Sequence, residues 1–241
     1  MQVAERSTAL VLVGRRALRD DVREALVNAI LGGEFHPGDR IIETRVARQL
    51  GVSQSTVREA LRELEQLGMV VTLPNRGASV KPLTRRDVTE MYEMRALIEG
   101  HAARVVATRL TERDSAGLET LAAEMVQLAN AGDVQELIKR DVAFHSRICQ
   151  LADNALLMRL WSAVNPHLWT YVAVRGLLGM PPTQVARRHF EVVDALRSGD
   201  PDRAEQALRT HLLELRDLAE EKLVSGEATL ASADGRPGGV R

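Results

Sequence analysis

The sequence predicts a mainly α protein, with an N-terminal winged helix-turn-helix followed by a C-terminal all-α antiparallel helical bundle. Three observations carry that prediction. Apolar residues recur at helical spacing along most of the chain. Aromatic residues make up only 3% of it against 45% hydrophobic residues overall, a mixture that helices tolerate better than a large β-sandwich does. The β-prone runs are short and confined to 69–73 and 78–81, around the turn Pro74-Asn75-Arg76-Gly77.

At 241 residues the chain has room for two domains. Its net charge of -1 conceals an asymmetry: residues 1–86 hold 14 basic and 10 acidic side chains, and residues 87–241 hold 18 and 23. A mildly basic front and an acidic rear suggest modules with different partners. The single cysteine, Cys149, excludes an internal disulfide framework and a cysteine-based zinc cluster. The early apolar run Ala9–Val13 is too short for a membrane span or a signal segment, so a reduced, cytoplasmic location with no membrane partner is expected.

Taken in order, residues 1–17 lack periodicity and read as a flexible arm. Leu18, Val22, Leu26 and Ile30 then repeat at helical spacing up to Gly32-Gly33. His36-Pro37-Gly38-Asp39 is turn chemistry. A short helix is predicted over 44–50, a turn at Gly51-Val52-Ser53, and a second helix over 54–67 stopped by Gly68. The Ala47, Gly51 and Val57 spacing is that of a helix-turn-helix: a small residue where helices approach, a glycine where the turn needs a left-handed backbone, a valine facing inward. Ser53 is a good N-cap. Val57, Ala60, Leu61 and Leu64 form the inward stripe of the second helix, leaving Gln54, Ser55, Arg58 and Arg62 outward. Such a face can enter a major groove, read base edges and grip phosphates. The hairpin behind it would form a wing with Arg76 at its tip.

These boundaries divide the chain into an arm (1–17), a DNA-binding domain (18–83), an effector-binding and dimerisation domain (84–224) and a disordered tail (225–241). Six helices are predicted in the rear domain, over 85–109, 112–130, 133–152, 154–179, 183–198 and 201–224. Three of their inward stripes carry polar groups: Asp141 and His145 one turn apart on one helix, His189 on another, His211 on the last. A carboxylate on an apolar stripe is costly unless paired or bound to a cation. One carboxylate and three imidazoles suit a divalent transition metal, zinc first, with nickel or manganese as alternatives. Arg95 lies on the inward stripe of the first rear helix, where it could clamp a ligand carboxylate or pair with Glu99. Asn165 and Arg175 are further effector-binding candidates, and His167 a possible lining residue. His36 and His101 read as surface or hinge, and Cys149 as a small core residue.

The front module resembles the winged helix-turn-helix of the GntR family of bacterial transcription regulators. The matching residues are Glu34-Phe35-His36-Pro37-Gly38-Asp39, then Gly51 through Leu61 with its Val57-Arg58-Glu59-Ala60-Leu61 stretch, then the Gly68 and Gly77 turns. The resemblance implies DNA contacts from Gln54, Ser55, Arg58 and Arg76, and extends the candidate set to Arg45, Thr56, Arg62 and Gly77. Gln54 stands where many members carry arginine, which shifts the expected base preference from guanine towards adenine. The rear module is similar to the FCD-type ligand-binding domain, whose Asp-x-x-x-His and two later histidines fall on Asp141, His145, His189 and His211. Together these resemblances imply a ligand-responsive regulator, a homodimer on a palindromic double-stranded DNA operator, whose metal anchors a small carboxylate or hydroxy acid. The usual outcome in the family is repression relieved by effector. The six-helix count leans towards the VanR-like branch over the FadR-like one. Two alternatives are a metal sensor and a metal-dependent hydrolase. Against the hydrolase, the stripes offer no separate general base, and the sequence has no nucleophile elbow or phosphate loop.

Overall fold

A computed structural model of the chain describes residues 7–31, 33–73, 77–82, 84–164 and 180–224. It is mainly helical with one small sheet. The chain divides into two compact units between Pro82 and Leu83.

In the front unit, α1 (Ser7–Leu31) precedes β1 (Arg40–Ile41), α2 (Glu43–Leu50), α3 (Gln54–Gln66), β2 (Val70–Leu73) and β3 (Gly77–Val80). Helix α1 begins at Ser7, so the expected arm is helical from that point. Residues 7–17 offer no apolar stripe at helical spacing, so periodicity alone gives no sign of this helix, whereas Val22, Leu26 and Ile30 further along it are buried. Leu18, placed on that stripe by its spacing, is half exposed. Glu63 of α3 receives ion pairs from Arg19 (2.9 Å) and Arg23 (3.3 Å), tying α1 to α3.

Ser53 is extended (φ -75°, ψ 151°) and its hydroxyl accepts from the Thr56 amide, the expected N-cap. Gly51 closes α2 in the left-handed region, φ +66°. Val57, Ala60, Leu61 and Leu64 are all buried, as their spacing predicts. The wing is more than a hairpin: the sheet has three antiparallel strands in the order β1-β3-β2, with Ile41 opposite Ala78 and Thr72 opposite Ala78 on the other side. Two residues are too few to give β1 a readable alternation, so its pairing was invisible in the sequence.

The rear unit holds α4 (Arg85–Ala107), α5 (Glu112–Ala131), α6 (Val134–Leu151), α7 (Ala155–Ala163), α8 (Pro182–Arg197) and α9 (Pro201–Val224). Their starts are set by local chemistry. Thr84 and Asp87 form a capping box, and Thr111, Asp133 and Asn154 cap α5, α6 and α7. Helix α4 is the central element: it packs most extensively against α9 and also touches α6, α7 and α8. Gly100 permits that approach, since a Cβ there would come within 2.7 Å of the Arg209 side chain. The predicted helix over 154–179 is described only as far as Val164, so the six- or seven-helix distinction lies outside the described residues, as do the tail and residues 1–6.

Candidate metal centre and DNA-reading face

The rear-unit stripes converge. Asp141 and His145 on α6, His189 on α8 and His211 on α9 are all buried, each no more than 8% exposed. One ligand nitrogen from each histidine lies within 4.8 Å of the others. Asp141 Oδ1 is 3.2 Å from His189 Nε2 and 4.0 Å from His145 Nε2. The rings form a triangle with centroids 4.6 to 5.6 Å apart, and Phe144 closes one side, edge-on to His189 at 4.9 Å.

The free nitrogens are fixed by what the others bind. His189 Nδ1–H donates to the carbonyls of Ala186 (3.1 Å) and Val185 (3.2 Å), a consequence of its place one turn along α8. That tautomer leaves a lone pair on Nε2, facing a carboxylate oxygen at 3.2 Å. Two acceptors at this distance repel unless a proton or a cation lies between them. His145 Nδ1 is bound to Glu99 Oε2 at 2.5 Å, so its Nε2 is the free donor atom. Neither nitrogen of His211 has a hydrogen-bond partner, although the ring is buried. An orphaned buried imidazole costs about 1–3 kcal/mol. A proton would relieve His189 alone; a divalent cation accepting a lone pair from each histidine relieves the whole cluster. The three histidine nitrogens therefore fit a bound transition metal, and the Asp141 carboxylate stands beside them, 3.2 Å from His189, although it is not one of the group of ligand atoms within 4.8 Å of one another.

The electrostatics agree. Burial pushes the Asp141 carboxyl up, but His145, His189 and Arg95 outweigh it and hold the group ionised, below the usual carboxylate range. Burial, reinforced by His189 and His145, holds His211 neutral, well below the ordinary histidine value. Metal ligation needs a neutral imidazole and an ionised carboxylate.

Glu99 is a residue whose role sequence reasoning missed. It is fully buried on α4, accepts from Arg95 Nε at 2.6 Å through Oε1, and holds His145 through Oε2. Burial opposes its charge, but Arg95 and His145 bring its carboxyl down to about 2. The Arg95–Glu99 spacing was legible; the link from Glu99 to a histidine 46 positions away was not. Arg95 thus makes the intrahelical ion pair, while its Nη2 stays buried without a hydrogen-bond partner. Cys149 is a fully buried core thiol, raised by that burial. Asn165, Arg175 and His167 lie outside the described residues. His36 and His101 are exposed, as expected.

On the front unit, Arg45, Gln54, Ser55, Arg58 and Arg62 are exposed. Thr56 is half-buried, and its hydroxyl, like that of Ser55, contacts Ser53 within 2.8 Å, so both belong to the helix cap. Arg58 is held by Glu43 at the start of α2, with Nη2 2.7 Å from Oε2. Gly77 takes φ +74° at the start of β3, and Arg40 reaches within 3.8 Å of where its Cβ would stand. Arg40, set beside the wing by the unforeseen strand, is exposed there; Arg76 lies outside the described residues.

Comparison with known proteins agrees with both units. Residues 18–80 match the model of the bacterial regulatory proteins of the gntR family, and residues 90–214 match the FCD domain. The chain is 33% identical over 198 residues to the probable D-xylose utilization operon transcriptional repressor of Paenarthrobacter nicotinovorans, covering 82% of this chain and 87% of that protein. It is 27% identical over 205 residues to the transcriptional repressor RspR of Escherichia coli K12, covering 84% and 85%. Among solved structures, a GntR regulator from Rhodococcus sp. RHA1 superposes with a TM-score of 0.69 at 27% identity, over 86% of this chain and 97% of that one. The chain therefore belongs to the GntR family of bacterial regulatory proteins, with an FCD domain behind its winged helix, and is a transcription regulator and not an enzyme.

Proposed function

We propose that the protein is a repressor that binds a palindromic operator as a homodimer and responds to a small carboxylate or hydroxy acid held at a metal in its rear unit. The observation that carries the reading is the pair of unmet demands in one buried cluster: His189 Nε2 facing Asp141 Oδ1 at 3.2 Å, and His211 with no partner on either nitrogen. Asp141, His145, His189 and His211 would hold the ion, with zinc the first choice and nickel or manganese alternatives. When bound, the ion supplies a positive charge inside the bundle that can anchor an anion. The chain's own residues do the rest. Glu99 orients His145, Phe144 keeps one side dry, and the unpartnered Arg95 Nη2 is a donor for a second carboxylate oxygen. Asn165 and Arg175 remain candidates for further contacts.

On the DNA side, Gln54 and Arg58 would read bases, with Arg45, Ser55, Thr56 and Arg62 around them and Arg76 and Gly77 on the wing. Arg58 must leave Glu43 to reach a base, so operator binding exchanges one ion pair for another. The repressor polarity is supported by the names of the relatives in Paenarthrobacter and E. coli. Among the described residues no helix is long and apolar enough to cross a membrane, which fits an action on cytoplasmic DNA.

A thermal-shift screen of small organic acids, run with and without chelator, tests the pocket. The expected result is stabilisation by one acid class, abolished by chelation, with the same acid releasing the protein from its operator. If no acid acts while DNA affinity follows metal concentration, the metal itself is the signal. If chelation also changes nothing, the metal-anchored reading fails.

A further inference from the structure

The histidine cluster is enclosed, yet a groove reaches it from outside. Between α8 and α9 lies a cleft of about 340 Å³, walled by Arg188 on α8 and by Ala207, Thr210 and Glu214 on α9, with buried Val192 and His211 along its floor. The larger groove between α5 and α6, about 480 Å³, is lined by none of Asp141, His145, His189 and His211. His211 thus belongs both to the cluster and to the lining of an outward-facing cleft, and neither of its nitrogens has a hydrogen-bond partner.

The charges at the mouth of this cleft say what passes it. Arg188 precedes His189 in sequence and pairs through Nη2 with the Glu214 carboxylate on the facing helix. The two partners are unequal: the Arg188 side chain is 21% exposed and that of Glu214 48%. Arg188 Nε is buried with no hydrogen-bond partner, so Glu214 leaves part of the guanidinium fork unmet. The same cation acts on His211, where its charge adds to the burial that keeps that ring neutral. An enclosed guanidinium with a spare donor, held by an acid that sits largely in water, can exchange one carboxylate for another. A neutral molecule gains nothing from that exchange.

We infer that the α8–α9 groove is the entrance to the histidine cluster, and that Arg188 selects what enters by giving up Glu214 to the carboxylate of an incoming acid. This rests on the metal-anchored reading above and adds to it a route and a charge filter. In the test, the full-length, zinc-loaded protein is mixed with either of two planar chelators, anionic dipicolinate or neutral phenanthroline, and zinc transfer is followed by stopped-flow absorbance. Arg188→Gln should slow transfer to dipicolinate about tenfold and leave transfer to phenanthroline unchanged. Arg188→Lys, which keeps the charge, should restore most of the rate, and Glu214→Gln should raise it. A bulky maleimide tests the route by itself. On Ala207→Cys it should slow both chelators; on Gln150→Cys, in the α5–α6 groove, it should slow neither. The native Cys149 is fully buried, away from the reagent. Transfer that ignores the label on Ala207→Cys overturns the entrance. Rates to the two chelators that fall together in Arg188→Gln, or do not fall, overturn the filter. A wild type that binds no zinc overturns the metal reading itself, and this proposal with it.

Discussion

Replacing Glu99 by glutamine separates the outer support of the proposed metal site from the residues that would hold the ion. The change keeps the side-chain volume and one carbonyl acceptor but removes the charge that Arg95 Nε meets at 2.6 Å and His145 Nδ1 at 2.5 Å. Two effects follow, each with its own readout. His145 loses the anion that fixes its tautomer and raises the basicity of Nε2, and outer partners of this kind are worth about 10–100-fold in metal affinity. That is about 1.4–2.7 kcal/mol. Independently, the Arg95 guanidinium is left buried without its counter-ion, and breaking a buried pair costs about 3–5 kcal/mol of folding stability. Asp141, which also acts on Arg95, should keep the loss towards the lower end. Metal affinity is measured by competition with a chromophoric chelator, and stability by urea denaturation of the metal-free protein. A folded Glu99→Gln variant that binds metal within twofold of the wild type would refute the claim that Glu99 holds His145 for ligation.

Four further outcomes are expected. His211→Leu should abolish tight metal binding yet leave the metal-free protein as stable or more stable, because it removes an imidazole with no partner; urea melts with and without zinc read both signs. Acid titration of the metal-free protein should show stability supplied by Glu99: its folded value is held down at about 2 against an ordinary 4.5, so the contribution is full above pH 4.5 and disappears as the pH falls towards 2. That portion of the titration should be absent in Glu99→Gln. Arg58→Ala should weaken operator binding roughly tenfold to a hundredfold in gel shifts, whereas Glu43→Gln, which frees the guanidinium, should tighten it. Gly51→Ala should cost about 1–2 kcal/mol in chemical denaturation, all of it backbone strain, since nothing lies within 4 Å of the added methyl.

Much of the candidate metal site was legible in the chain because the residues proposed to hold the ion obey local rules. Asp141 and His145 share a helix face by spacing alone, and His189 and His211 announce themselves as polar groups on otherwise apolar stripes. The same holds for Ser53, Gly51 and the Val57 to Leu64 stripe of the reading helix, where capping, a left-handed turn and helical periodicity each leave a mark within a few residues. The start of α1 was hidden for the converse reason: residues 7–17 carry no stripe, so their helix has no sequence signature.

What periodicity could not supply was every feature made by residues far apart in the chain. The grip of Glu99 on His145, the pairing of β1 with β3 beside the wing, and the hold of Glu43 on Arg58 each join separate elements. Local sequence chooses which face of a helix turns inward, because that choice depends on neighbours three and four positions away. Which inward side chain then meets which is decided by how the helices cross, and crossing is settled by the packing of whole elements, to which no single stretch of sequence holds the answer.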